Sequence, residues 1–165
     1  MAIPLRSWIS TTGFALALAT STASHASPAN LTVEIALTMI DGCRAQANTK
    51  GQSHAIVVVD AGGHVIASLR MDGNAPGIMA FAEQKARAAA MWGFGTLKMA
   101  EAVRETPGLG AAQYIVTVAG GEPVRTSDGK ILLGGIGVSG EAPADDLSCA
   151  KAGIAAAGPV LAQLE

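Results

Sequence analysis

Aromatic side chains are scarce in this chain of 165 residues: three Phe, two Trp and one Tyr. A large pocket walled by rings is therefore hard to build from it. Histidine is scarcer still, and only His54 and His64 lie beyond the N-terminal segment. Two histidines cannot make a three-histidine zinc site, and Cys43 and Cys149 are too distant in sequence for a Cys-x-x-Cys site. Phosphate-loop and dinucleotide fingerprints are missing. So is the nucleophile elbow: Gly137-Val138-Ser139-Gly140 has the wrong spacing and sits at a strand end. There is no cluster of Lys and Arg, and the formal net charge is -2. That argues against nucleic acid or an anionic membrane as partner. No apolar run approaches the ~20 residues needed to span a bilayer.

What is present begins with the features of a secretory signal. Arg6 is followed by an apolar stretch from Trp8 to Ala19 and by small residues at Ser24-His25-Ala26. Residues 1–26 are expected to be removed, leaving one soluble domain over 27–165, periplasmic or secreted. Both cysteines would enter an oxidising compartment. They either form a disulfide, if their helices pack side by side, or remain two buried thiols in Ala-rich faces.

Thr32 is a fitting N-cap for a helix from about Val33 to Ala47, with apolar residues at helical spacing. The β-branched run Ala55 to Val59, the Asp60-Ala61-Gly62-Gly63 turn and the run His64 to Met71 predict a hairpin. In the second strand Val65, Ala67, Leu69 and Met71 alternate with His64, Ile66, Ser68 and Arg70. A helix from Ile78 to Met91 and another capped by Thr96 follow. Three further strands are expected at Tyr114–Val118, Glu122–Thr126 and Lys130–Ser139, then a closing helix with Asp145 and Asp146 in its first turn. Short turns between strands favour antiparallel pairing and an α+β fold.

Gly134, Gly135, Gly137 and Gly140 in one strand leave room for something to approach the backbone, either a crossing helix or a flat ligand. Phe81 and Trp92 share a face of the middle helix, with Lys85 one turn from Phe81. Such a group could hold a planar anion, or be core beside a snorkelling lysine. His64 can offer a neutral imidazole to iron or be a surface residue after a turn. Met71, Met79 and Met91 are thioether candidates or core filler.

Taken in order, Val58-Val59-Asp60-Ala61-Gly62-Gly63, Arg70-Met71-Asp72-Gly73, Lys85-Ala86-Arg87, Pro107-Gly108, Gly120-Gly121-Glu122-Pro123-Val124 and Gly134 to Gly140 resemble the GlcG/HbpS-like proteins. So does the closing stretch from Asp145-Asp146 through Cys149-Ala150 to Ala152-Gly153. The resemblance covers nearly all of residues 27–165. It implies a profilin-like sheet of five antiparallel strands with helices on its faces, assembly into homo-oligomers, and haem binding, sometimes with haem degradation. Where the family often has Lys-Ala-x-Thr-Ala, this chain has Lys85-Ala86-Arg87-Ala88-Ala89, so a hydroxyl is replaced by a methyl group.

The resulting expectation is an exported haem- or tetrapyrrole-binding protein, in haem handling or the oxidative-stress response. His64 is the metal ligand, Arg70 and Lys85 serve the propionates, Trp92 stacks, and Met71 completes the cofactor-binding set. Two alternatives stand beside it. One is a protein handling a small organic acid, with Arg70 or Lys85 on the carboxylate and Asp60 or Asp72 as base. The other is an assembly module without ligand.

Overall fold

Helix α1 (Val33–Lys50) starts where Thr32 accepts the Ile35 amide on its hydroxyl at 3.3 Å. It runs past Ala47 because its stop signal is Gly51, in the left-handed conformation, whose amide closes on the Ala47 and Asn48 carbonyls. A computed structural model describes residues 30–164; the expected signal segment 1–26 lies outside them. The remaining elements are β1 (Ala55–Asp60), β2 (Val65–Arg70), α2 (Pro76–Trp92), α3 (Thr96–Glu105), a 3-10 turn (Pro107–Ala111), β3 (Gly121–Arg125), β4 (Leu132–Ser139) and α4 (Pro143–Leu161). The fold is α+β, with four α-helices on an antiparallel sheet in the order β2-β1-β4-β3.

The sheet has four strands, not five. Tyr114–Val118 does not pair, and its first residue explains why. Tyr114 has φ 63°, the sole positive value outside glycine among the described residues, which turns the chain out of the extended conformation. The alternation expected in β2 is also corrected. Val58 pairs with Ala67 but Val59 with Val65, so Ile66 is the extra residue of a bulge. Ile66 consequently joins Ala67, Leu69 and Met71 against the main core, while Val65 is exposed. Thr96 is not a cap either. Gly95 holds that position, and the buried Thr96 hydroxyl accepts the Gly121 amide at 3.0 Å.

β1 is covered on both faces. Ile56 and Val58 meet α1 and α4, whereas Ala55, Val57 and Val59 meet Ala82, Ala86 and Ala90 of α2. Two buried faces explain why β1 reads as an unbroken β-branched run. On β4, Ile136 and Val138 point to the α1/α4 side. On the other side a Cβ built on Gly135 or Gly137 would fall onto the Ala86 or Ala82 carbonyl oxygen. The glycine-rich strand therefore accommodates the crossing helix α2, and no flat ligand is needed to account for it. Gly137→Ala should lower stability by ~1–3 kcal/mol in urea denaturation. The ~0.5–1 kcal/mol of backbone entropy that alanine gains would not offset that steric displacement.

On the opposite face Cys43 of α1 and Cys149 of α4 form a disulfide with their Cα atoms 4.6 Å apart. The helices approach closely there because Gly42 and Gly153 lie at their crossing. No helix among the described residues is long and apolar enough to cross a membrane.

Candidate functional site

Two clusters of polar side chains stand out, one buried and one at the surface. The buried cluster begins with Lys85, which projects from an otherwise alanine-rich face of α2 and is wholly buried. Its ammonium donates to Asp146 Oδ2 and to the Val138 carbonyl, each at 2.9 Å, and lies 4.9 Å from the Phe81 ring centroid. Asp146 Oδ1 also accepts the Glu141 amide at 3.1 Å and sits 3.1 Å from His54 Nδ1. His54 Nε2 is buried without a hydrogen-bond partner among the described residues. Burial pushes the Lys85 ammonium below the usual lysine range, while the hydrogen bond and charge of Asp146 pull it back up.

This cluster ties α2, β4 and α4 together through a paired charge. Lys85 neither snorkels to solvent nor faces a ligand surface, so it does not serve a propionate here. Its partners escaped sequence reasoning, which read Asp146 only as complementing the helix dipole. The usable signal was Lys85 itself, because a cation in an apolar stripe requires a buried counter-charge. Ala88, where the family's hydroxyl would sit, is also fully buried.

The surface cluster is built on the β1–β2 turn. Asp60 Oδ1 accepts the Gly62 amide at 2.8 Å and the His64 amide at 2.9 Å, and Gly63 supplies the positive φ of 78° that closes the turn. The His64 amide is the foremost reason that the Asp60 carboxyl lies below its ordinary range. A carboxylate with a depressed pKa stabilises this turn above about pH 4 and loses that contribution as pH falls through the lowered value. The His64 side chain is 83% exposed, with Nδ1 3.3 Å from Asp60 Oδ1.

Gly62, Gly63 and His64 line a cleft of about 180 Å³ with Arg87, Met91 and Tyr114. Arg87 is held there by donating Nε–H to the Gly63 carbonyl at 3.1 Å and pairing with Glu83 at 2.6 Å. Trp92, 37% exposed, adjoins this end of the molecule. Its Nε1 donates to the Gln113 carbonyl at 3.0 Å, and its ring meets Phe94 edge-on rather than Phe81. Met91 and Tyr114 are also exposed.

Arg70 and Met71 are elsewhere. They end the strand that follows His64, about 20 Å away at the usual rise per residue. The structure thus brings His64 and Trp92 to one end, puts Arg70 and Met71 at the other, and buries Lys85 between sheet and helix. Arg87, the cation beside His64, was visible in the sequence only as part of a motif.

An imidazole with one nitrogen toward a carboxylate and the other free is the arrangement of a metal-binding histidine. No group of three or more His, Cys, Asp and Glu side chains that could hold a bare metal ion occurs among the described residues. A metal at His64 would need its remaining ligands from a chelating group.

Residues 31–155 match the family described as haem degrading protein HbpS-like. No curated protein sequence matches the chain significantly. Among solved structures, a double mutant of Streptomyces reticuli HbpS is 28% identical with a TM-score of 0.71, over 92% of this chain and 97% of that one. PduOC in complex with haem is 26% identical with a TM-score of 0.68, over 77% of this chain and 94% of that one. Protein ORFY of Klebsiella pneumoniae is 25% identical with a TM-score of 0.71, over 77% and 90%.

Proposed function

The chain belongs to the family of haem degrading protein HbpS-like proteins, and from that footing we propose that it binds haem through His64 at the cleft beside the β1–β2 turn. The observation that carries this reading is the pairing of His64 Nδ1 with Asp60, which leaves Nε2 for iron. A porphyrin supplies the chelating ligands that the protein does not. Arg87, in place of Lys85 and Arg70, is the cation for a propionate, and Met91, Tyr114 and Trp92 offer exposed apolar area. The cleft is smaller than the ~300 Å³ of an ordinary ligand pocket, so this surface receives one side of a macrocycle rather than enclosing it. Haem, when bound, supplies redox and oxygen chemistry, and the protein's part is to orient and ligate.

The solved complex of PduOC with haem, at 26% identity, supports the ligand class. Export by residues 1–26, homo-oligomeric assembly, and a role in haem handling or oxidative stress belong to the same proposal. The Cys43–Cys149 disulfide supports an oxidising compartment.

Titrating the purified protein with haem should give a saturable Soret band. His64→Ala should abolish its position and intensity, and Asp60→Asn should weaken affinity by about tenfold, as loss of an outer-shell partner does. A Soret band unchanged in His64→Ala would remove His64 as the ligand, and a response that never saturates would remove haem binding.

A further inference from the structure

At the opposite end of β2 lies a second cleft, of about 410 Å³, lined by Arg44, Ser53, Leu69, Arg70, Met71 and Asp72. Its volume lies within the range of small-molecule sites. Two guanidinium groups enter it from different elements, Arg44 from α1 and Arg70 from the end of β2. Each is steadied by one bond. Arg70 Nη1 donates to the Asn74 carbonyl, and Arg44 Nη2 pairs with Asp41 at 2.8 Å. A guanidinium carries five N–H donors in a planar fork, so both retain donors suited to a carboxylate.

The wall around them is cross-linked. The Ser53 hydroxyl donates to the Asp72 carbonyl and accepts from Asn74 Nδ2, both at 2.7 Å, and the Met71 amide donates to the His54 carbonyl at 3.0 Å. These bonds fix the backbone of the wall at Met71 and Asp72. Leu69 and Met71 are partly buried against the main core and give the cleft an apolar part.

We infer that this cleft binds a small monocarboxylate bearing a hydroxyl or amino group, with Arg44 and Arg70 taking the carboxylate and Asp72 the hydroxyl or ammonium. The charge pattern selects this class. Two cations favour an anion, but a second carboxylate on the ligand would meet Asp72 and be repelled. The site is independent of the His64 cleft, and haem plays no part in it.

Calorimetric titration of the purified protein with lactate, alanine and succinate tests the assignment. Saturable binding of lactate or alanine is expected, and which of the two binds identifies hydroxyl or ammonium as the group Asp72 prefers. Affinity should fall at least about tenfold in Arg70→Gln and in Arg44→Gln, with Arg70→Lys failing to restore it because a lysine cannot present the fork. Absence of saturable binding for both lactate and alanine would overturn the proposal, as would affinity unchanged in both glutamine variants whose thermal unfolding is intact. Succinate binding as tightly as lactate or alanine would overturn the role of Asp72 and with it the restriction to monocarboxylates.

Discussion

Asp146→Ala should lower the stability of this protein by ~3–5 kcal/mol, the loss that follows when one partner of a buried ion pair is removed. The variant leaves the Lys85 ammonium in the interior with only the Val138 carbonyl and the Phe81 ring, and it also strips the Glu141 amide and His54 of their acceptor. For a domain of this size that corresponds to a fall in Tm of roughly 10–20 °C, readable by circular dichroism. The pH dependence has a definite sign. Burial lowers Lys85 and Asp146 opposes it, so without Asp146 the lysine falls further below its unfolded value near ~10.4. Between those two values the unfolded chain binds more protons than the folded one, and stability rises with pH. Asp146→Ala should therefore recover part of its loss as pH is raised toward the ordinary lysine range. Replacing both partners, Lys85→Met with Asp146→Leu, should restore only the part of the stability lost to the uncompensated charge, because the Glu141 amide and His54 still lack their acceptor. A loss below ~1 kcal/mol in the single variant would show that the pair does not hold α2 to α4.

Replacing the disulfide, with Cys43→Ala and Cys149→Ala together, should cost ~2–5 kcal/mol. The bridged residues are 106 apart in sequence, so the closed loop spans most of the described chain. The chain-entropy model gives ~4–5 kcal/mol for such a loop, all of it acting through the unfolded state. Denaturation by urea with and without reductant separates the two contributions. The unmutated protein should lose stability on reduction, and the double variant should be indifferent to reductant. Equal midpoints for the reduced and oxidised forms of the unmutated chain would remove the disulfide from the account of stability. Cys149 lies one turn beyond Asp146 on α4, so the ion pair and the disulfide anchor the same helix to different neighbours. Their losses should couple rather than simply add.

Local chemistry made much of the fold legible. Thr32 opens α1, the β-branched run of Ala55 to Val59 and the Gly62-Gly63 turn mark the first hairpin, and Asp145-Asp146 mark the start of α4. The errors arose where tertiary structure decides. Tyr114 to Val118 has strand composition, but a left-handed Tyr114 removes it from the sheet. The bulge at Ile66 depends on pairing with β1 and leaves no trace in the residues of β2. The sites divide in the same way. His64 could be picked out because it follows a tight turn and histidine is rare. The burial of Lys85 depends on Asp146, 61 residues away, and on Val138, 53 residues away. Arg87 stands only two residues from Lys85, yet two residues of α-helix turn the side chain about 200° around the axis, so one is internal and the other reaches the His64 cleft.

The contact of α2 with β4 constrains how the molecule can respond at that cleft. Gly135 and Gly137 meet the backbone of Ala82 and Ala86, and neither glycine nor alanine has a rotamer to change. Side-chain rearrangement, the ordinary means by which a helix slides on a sheet, is thus unavailable along this seam. Arg87 and Met91 ride on α2 and must move with the sheet as a single body. The Asp60–His64 turn on one side and Tyr114 on the other complete the cleft against that block, and the bond from Arg87 to the Gly63 carbonyl ties the turn to it.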